Sequence, residues 1–598
     1  MHINTILTVK INPPFPIKIY RLKEERYYNM TQNITKFSEM KYERPDVEKS
    51  KVEAEEIKNK FSTADTFEKA DSAFIEWDKF TGHIDTMMSL AYTRHSIDTT
   101  DEFYDKEVEY IDEQSPIFTD IQQSFAKLLV NSPFRPQLEE KYGKLMFKNM
   151  EMFLKSFSPE IIPETQETNK LETAYQKLIA SAQIDFDGDK KTISQLFPYK
   201  QSADDKVRRA AWLAEGNFYN EHGEELDRIY DELVKLRNKK AVKLGYENFV
   251  KLGYLQMTRN CYDADDVAKF RKAVIKYIVP VADKLYRKQA ERTGLEYPLT
   301  FADAALKFRD GNPKPQGSSE DILEVGKKLY HELSAESAEF IDMMYDNELL
   351  DVLSKKGKAG GGYCTSFADY KVPFIFSNFN GTADDVEVIT HEAGHAFAYY
   401  IARNIVPSDN QSPTLEACEI HSMTMEFFGW RCSDEFFGKD SKKFRYGHLF
   451  SAITFIPYGT MVDHFQHIVY ENPEMTPQQR HDVWRELLGV YMPWMKLDGS
   501  AFYGEGKGWQ RQIHIYENPF YYIDYCLAQT VALEFWVIMQ KNHDEAWERY
   551  MRLVKKAGAQ TFNELVETAG LKTPFGDDAL KEVAADCEKW LEENSDFS

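Results

Sequence analysis

A mainly α-helical protein is what this sequence predicts, on three observations. Residues 47–180 are rich in Glu, Lys, Leu and Ala and poor in glycine, as successive amphipathic helices are. Residues 203–221 and 224–244 consist largely of strong helix formers, and the second run stops at Gly245. Thr382-Ala383-Asp384-Asp385 offers a capping hydroxyl and two acids for a first turn, Val386, Val388 and Ile389 follow at alternating positions, and Ala396 to Ile401 continues without a breaker.

Composition narrows the class. A hydrophobic content of 42%, aromatics at 14% and no apolar run of membrane length describe a soluble globular chain. A net charge of −23 argues against nucleic acid or an anionic membrane as partner. The six cysteines are scattered, with no C-x-x-C pair, and fit reduced thiols in a cytoplasmic protein. Oligomeric state is not legible.

Taken in order, residues 1–29 lack the basic segment and apolar core of a signal peptide. Lys23-Glu24-Glu25-Arg26 can be encoded by a purine run resembling a ribosome-binding site, so translation is expected to start at Met30, with 1–29 a non-native extension. Residues 30–200 form an N-terminal helical region, with helices expected over 116–129 and 136–157, the first opening on Ser115-Pro116. Alternation around Asp187-Gly188 reads as a β-hairpin; as a calcium loop it has glycine at the wrong place and Leu196 where a bidentate Glu is needed. Residues 201–598 form the catalytic region. Within it, Lys358 to Cys364 is a glycine loop, read as a hinge or close backbone approach, and Gly504 to Trp509 reads as a lid. Pro373 to Gly381 is a strand closed by a turn, a natural edge for an extended peptide. The tail from Asp578 carries Leu580, Val583, Ala584, Cys587 and Leu591 at helical spacing.

The chemistry sits in His391-Glu392-Ala393-Gly394-His395. On a helix the two histidines fall one turn apart on one face, able to ligate one Zn²⁺ that still needs a third protein ligand. Glu392 between them can take a proton from an attacking water. Gly394 inside the helix costs about 1 kcal/mol relative to Ala, so something packs closely there. Ser412-Pro413 is expected to open the next helix, where Glu416, Glu419 and Glu426 compete for the metal. Glu416 lies in the first turn, where acids are common because of the helix dipole. Glu419 and Glu426 share a face two turns apart, which suits a ligand and a carboxylate orienting a ligating histidine. Glu419 is the expected ligand, Glu426 its companion, and His421 a packing residue.

His391 to His395 followed by Glu416 to Glu426 resembles the thimet oligopeptidase and oligoendopeptidase F family of zinc peptidases, its oligoendopeptidase F branch most closely. The likeness runs from about Ser202 to Pro574, and 28 residues separate His391 from Glu419, one fewer than is usual in the thimet branch. Phe374 to Thr382 resembles the family's substrate-edge strand, and His514 to Tyr525 its tyrosine-rich catalytic segment. The resemblance implies a two-lobed helical shell around a deep substrate channel, with a small β-sheet beside the zinc helix. It implies Tyr525 as transition-state donor, with His514 and Tyr522 as further catalytic candidates. Phe376, Asn378, Phe379 and Tyr516 are the implied substrate contacts. The expected activity is zinc-dependent cleavage of internal bonds in short oligopeptides. A zinc carboxypeptidase and a non-enzymatic peptide-binding helical protein are the alternatives.

Overall fold

A computed structural model describes residues 34–597; the expected extension at 1–29 lies outside the described residues. The described residues are mainly helical, with a two-stranded hairpin and one three-stranded sheet among them. The hairpin joins β1 (Ile184–Phe186) to β2 (Asp189–Lys191) through Asp187 and Gly188, both at positive φ (53° and 77°). That is the backbone a two-residue hairpin turn requires, and Asn, Asp and Gly supply it.

The N-terminal helices differ from expectation in two places. Pro116 does not open a helix: it lies inside one running Glu102–Val130, capped by Asp101. Proline cannot donate to the carbonyl four residues earlier, and here the side-chain amide of Asn169 donates to that Asp112 carbonyl at 2.9 Å. Residues 136–157 are not one helix but two, Arg135–Tyr142 and Lys144–Ser156, broken at Gly143 with φ 95°. The helices Asp205–Glu221 and Gly223–Lys243 match their expected spans closely.

Among the described residues two large hydrophobic cores follow, with a small third cluster around Trp494. The smaller of the two holds the first N-terminal helices around Trp77, Phe125 and Phe147. The larger runs from Met40 to Leu591 and encloses the helices that carry the motif. The tail helix Asp577–Glu593 buries Leu580, Val583, Ala584, Cys587 and Leu591 against it, as its spacing predicts. All six cysteines are free thiols. Among the described residues no helix is long and apolar enough to cross a membrane.

The sheet corrects one expectation. Its order is β3 (Leu350–Leu353), β5 (Val372–Phe379), β4 (Tyr363–Phe367), with β5 parallel to β3 and antiparallel to β4. The strand feeding the motif helix is therefore central, hydrogen-bonded on both sides, and has no edge to offer. β4 is the edge.

Candidate active site

Two helices hold the motif residues. The motif helix, Asp384–Ala402, begins after a turn in which the Asp385 carboxylate accepts the backbone N–H groups of Asn380 and Gly381. The glutamate helix, Leu415–Phe428, starts two residues later than Ser412-Pro413 suggests, with Thr414 at its cap position. At Gly394 the two helices meet: a Cβ there would stand 2.7 Å from the His421 carbonyl oxygen and 2.7 Å from Ser422 Cα. Only a residue without a side chain permits that approach, which is the close packing its sequence position implies.

This contact brings the donor atoms together. His391, His395 and Glu419 each present one atom within 4.8 Å of the others. Glu419 Oε2 lies 3.2 Å from His391 Nε2 and 3.4 Å from His395 Nε2. His391 Nδ1 is taken up by Glu426 Oε1 at 2.7 Å, which leaves Nε2 facing Glu419. Glu426 Oε2 contacts His448 Nε2 at 2.9 Å, and His448 Nδ1 accepts from the Trp430 indole at 2.9 Å. Burial would lower the His391 imidazole, but hydrogen bonds to Glu419 and Glu426 raise it well above its ordinary value. Burial would likewise raise Glu419, yet His395 and His391 pull it well below. Two imidazoles and a carboxylate thus converge with negative charge behind them, a donor set that fits a divalent cation such as zinc.

Glu416 stands apart from this group. It is buried and accepts from Thr414 Oγ1 at 2.8 Å. His421 is buried too, and burial pushes its pKa down to about 3. Burial holds Glu392 above the ordinary carboxylate range against the lowering pull of His391 and His395.

His391, Glu392, His395, Glu419 and His421 line a cavity of about 720 Å³ whose opposite wall is the segment 513–525. There Tyr458 donates to Gln512 Oε1 at 2.9 Å, and the Gln512 amide meets His514 Nδ1 at 3.0 Å. With Nδ1 accepting, Nε2 carries the proton, directed at Tyr525 Oη 3.1 Å away. Burial pushes the His514 pKa down to about 4, so the ring is neutral at pH 7. Burial and then the charge of Glu419 raise the Tyr525 phenol well above its ordinary value, which keeps its proton in place.

The segment's shape depends on distant residues. Phe520 adopts φ 68°, rare for a residue with a side chain. Its carbonyl accepts from Arg259, its N–H donates to Gln466 Oε1 at 2.9 Å, and its ring fills the space beside Gly253, where a Cβ would come within 2.6 Å. Arg259 also pairs with Asp524 at 2.8 Å, both fully buried. This reversal turns Tyr521 toward the metal donors, where its hydroxyl donates to Glu419 Oε1.

Several expected residues sit elsewhere. Tyr522 does not line the cavity; it is buried against Phe455 and Tyr458, a packing residue. Phe376 and Phe379 are core residues of the central strand, and Asn378 donates to the carbonyls of Ala359 and Gly361 at 2.8 and 2.9 Å. Tyr516 is fully buried, stacked on Tyr175 with ring centroids 3.9 Å apart. None of these four lines the cavity. Residues 504–509 do not reach it either: Trp509 is buried, and Gly506 lies against the His481 backbone. The glycine loop does reach it, since a Cβ on Gly362 would stand 3.6 Å from Glu392 Oε1. Sequence reasoning missed Tyr521, His448, Arg259 and the β4 edge. Tyr521 lies inside the segment already singled out, but only the turn at Phe520 decides which of its tyrosines faces Glu419.

A mostly helical protein with a His-Glu-x-x-His helix packed on a glutamate helix, faced by a tyrosine wall, defines a class of peptidases. Residues 198–585 match the model of peptidase family M3, and residues 37–157 match the peptidase M3 N-terminal domain. The chain belongs to peptidase family M3, in its oligoendopeptidase F branch. A structure of PZ peptidase A with an inhibitor is 47% identical, with a TM-score of 0.93 over 94% of this chain and 100% of that one. A structure of an oligoendopeptidase F from Bacillus anthracis is 45% identical, with a TM-score of 0.88 over 94% and 98%. Oligopeptidase PepF of Bacillus subtilis is 24% identical over 246 residues, 40% of this chain and 36% of that protein's own length.

Proposed function

We propose that this chain is a zinc-dependent endopeptidase that cuts internal bonds of short oligopeptides, working in the cytoplasm through one metal ion. The convergence of His391, His395 and Glu419 beside Glu392 is the observation that carries this reading. Residues 30–200 and 201–598 serve as its N-terminal and catalytic regions.

His391, His395 and Glu419 would hold the zinc, which when bound would supply a Lewis acid for the scissile carbonyl and for water. Glu392 accepts the proton of the attacking water and passes it to the departing amine. Neutral His514 donates to Tyr525, leaving the Tyr525 hydroxyl free to donate to the carbonyl oxygen as negative charge develops there. Glu426 fixes the His391 ring through Nδ1, and Tyr521 steadies Glu419. The free edge of β4 pairs with the extended peptide, and the absence of a side chain at Gly362 lets that backbone pass close to Glu392.

An internal cut is favoured over a carboxypeptidase by the lining of the cavity. Among the described residues that form it, none is Lys or Arg, so no fixed cation waits for a terminal carboxylate. The intact metal and base set favours an enzyme over a peptide-binding protein. The test is digestion of defined peptides of eight to twelve residues by the zinc-loaded protein, with products mapped by mass spectrometry. Internal cuts are expected, and Glu392→Gln should keep zinc while losing about 10²–10⁴ in rate. Release of single C-terminal residues alone would replace this reading with the carboxypeptidase one.

A further inference from the structure

A second cavity, of about 580 Å³, opens beside the first. The two share Gln176, Glu517, Asn518 and the β4 residues Tyr363, Cys364 and Thr365, so the edge strand runs along both. Its chemistry is one-sided. Asp112, Glu172 and Glu517 line it, and among the described residues that form it none is Lys or Arg.

The three carboxylates are not equivalent. Glu172 is paired with Arg237 at 2.8 Å. Asp112 accepts the hydroxyls of Tyr92 and Thr173 at 2.8 and 2.6 Å. Glu517 has one partner, the neutral amide of exposed Gln176 at 3.0 Å, and its other oxygen is buried without a donor. Its position is nonetheless fixed, because Arg237 donates to the carbonyls of Ile515 and Tyr516 just before it. A half-buried carboxylate with no ion-pair partner and one oxygen lacking a donor is costly, and this one lies at the junction of the two cavities.

We infer that this polar annex is a subsite for a cationic group of the peptide, a primary ammonium or a guanidinium, with Glu517 as the counter-charge. Glu517 meets the incoming cation as the Gln176 amide gives way, and the hydroxyl-bound Asp112 adds negative potential behind it. Burial, with Glu172 nearby, pushes the Glu517 carboxyl up to about 8, the direction a cation would reverse. Two sources share this chemistry, a Lys or Arg side chain and the peptide's own α-ammonium. A peptide paired along β4 presents alternate side chains to one face, so either can reach the annex from the metal site.

This inference rests on the peptidase reading, and its test separates the two. Peptides differing only by Lys or norleucine at each position, and by a free or acetylated N-terminus, are compared on the wild-type protein by kcat/KM. Their Kd values are measured on zinc-loaded Glu392→Gln by calorimetry. The cationic member of at least one pair should be preferred by about tenfold or more. That ratio should fall toward one in Glu517→Gln. If that variant does not fold, Glu517→Asp, which keeps the charge but withdraws it, should reduce the ratio severalfold. A lysine-position effect assigns the annex to a side chain, and an acetylation effect assigns it to the terminus. Equal handling of every pair by the wild-type protein, or a ratio unchanged by the substitution at Glu517, overturns the inference. Cation-selective binding without cleavage would sink the peptidase reading and leave the subsite standing.

Discussion

The two walls of the metal cavity are built on opposite principles. On one side, two helices in main-chain contact at Gly394 carry charged side chains whose partners are one or two turns away or directly across the contact. On the other, a short kinked segment carries neutral donors whose orientation is set by Arg259, Gln466 and Gly253, far off in sequence, and by Gln512 just before it. The first wall is rigid because it is regular. The second is aimed because distant residues hold it in a conformation, φ 68° at Phe520, that it would not adopt alone. Holding a metal needs a fixed triangle of donors. Meeting an oxyanion needs hydroxyls placed at one point, and side chains from several elements can supply that.

Three variants, two of them paired with a control, test this division in order of expected effect. Glu419→Ala removes a corner of the donor triangle and should abolish zinc binding and activity together, because two histidines alone hold zinc poorly. Glu416→Ala should keep its zinc; the reverse pattern in elemental analysis would exchange the roles of the two acids. On the facing wall, Tyr525→Phe leaves packing intact, so zinc content and melting should stay unchanged. Its kcat should drop by about 10²–10³ at nearly constant KM, since the lost hydroxyl acts only in the transition state. Tyr522→Phe, altering a packing residue, should turn over normally per folded molecule, and a crippled Tyr522→Phe would exchange the two tyrosines. Glu426→Ala frees the His391 ring without removing a donor, and a fall of roughly 10–100-fold in zinc affinity or activity is expected. An unchanged zinc affinity and rate would mean that the helices alone orient His391.

The smallest effect concerns pH. The His514 pKa is lowered from 6.5 to about 4 by burial, so protonation favours the unfolded chain. The stability this buried neutral ring contributes is complete above pH 6.5 and drains away as the pH falls toward 4. Denaturant melts of His514→Gln should lose less stability than the wild type across that window. Parallel losses would place the ring in a more solvated setting.

The contrast between the walls also explains what the sequence discloses. His391, Glu392, His395, Glu419 and Glu426 lie on helices, where spacing alone says which side chains share a face. The hairpin at Asp187-Gly188 and the tail helix were legible for the same local reason. The order of the three strands was not, because sequence marks β5 as a strand without saying what flanks it; the peptide edge was therefore assigned to the wrong strand. The tyrosines resisted for a related cause. In a run such as Phe520 to Tyr525, facing is decided by one backbone reversal, and the residues that enforce it come from elsewhere in the chain. Pro116 misled because its helix continues through it, with Asn169 covering the freed carbonyl.

Gly394 has a consequence for what the centre can tolerate. Because the two helices touch through main chain there, the spacing of the backbones that carry Glu419 and the two histidines is gauged by that contact, and only side-chain rotamers are left to adjust the donor atoms. The helix pair behaves as a calliper with little travel. A cation that asked for bonds longer than those rotamers allow would have to part the helices, so a residue that carries no ligand atom would limit which ion the three donors accept.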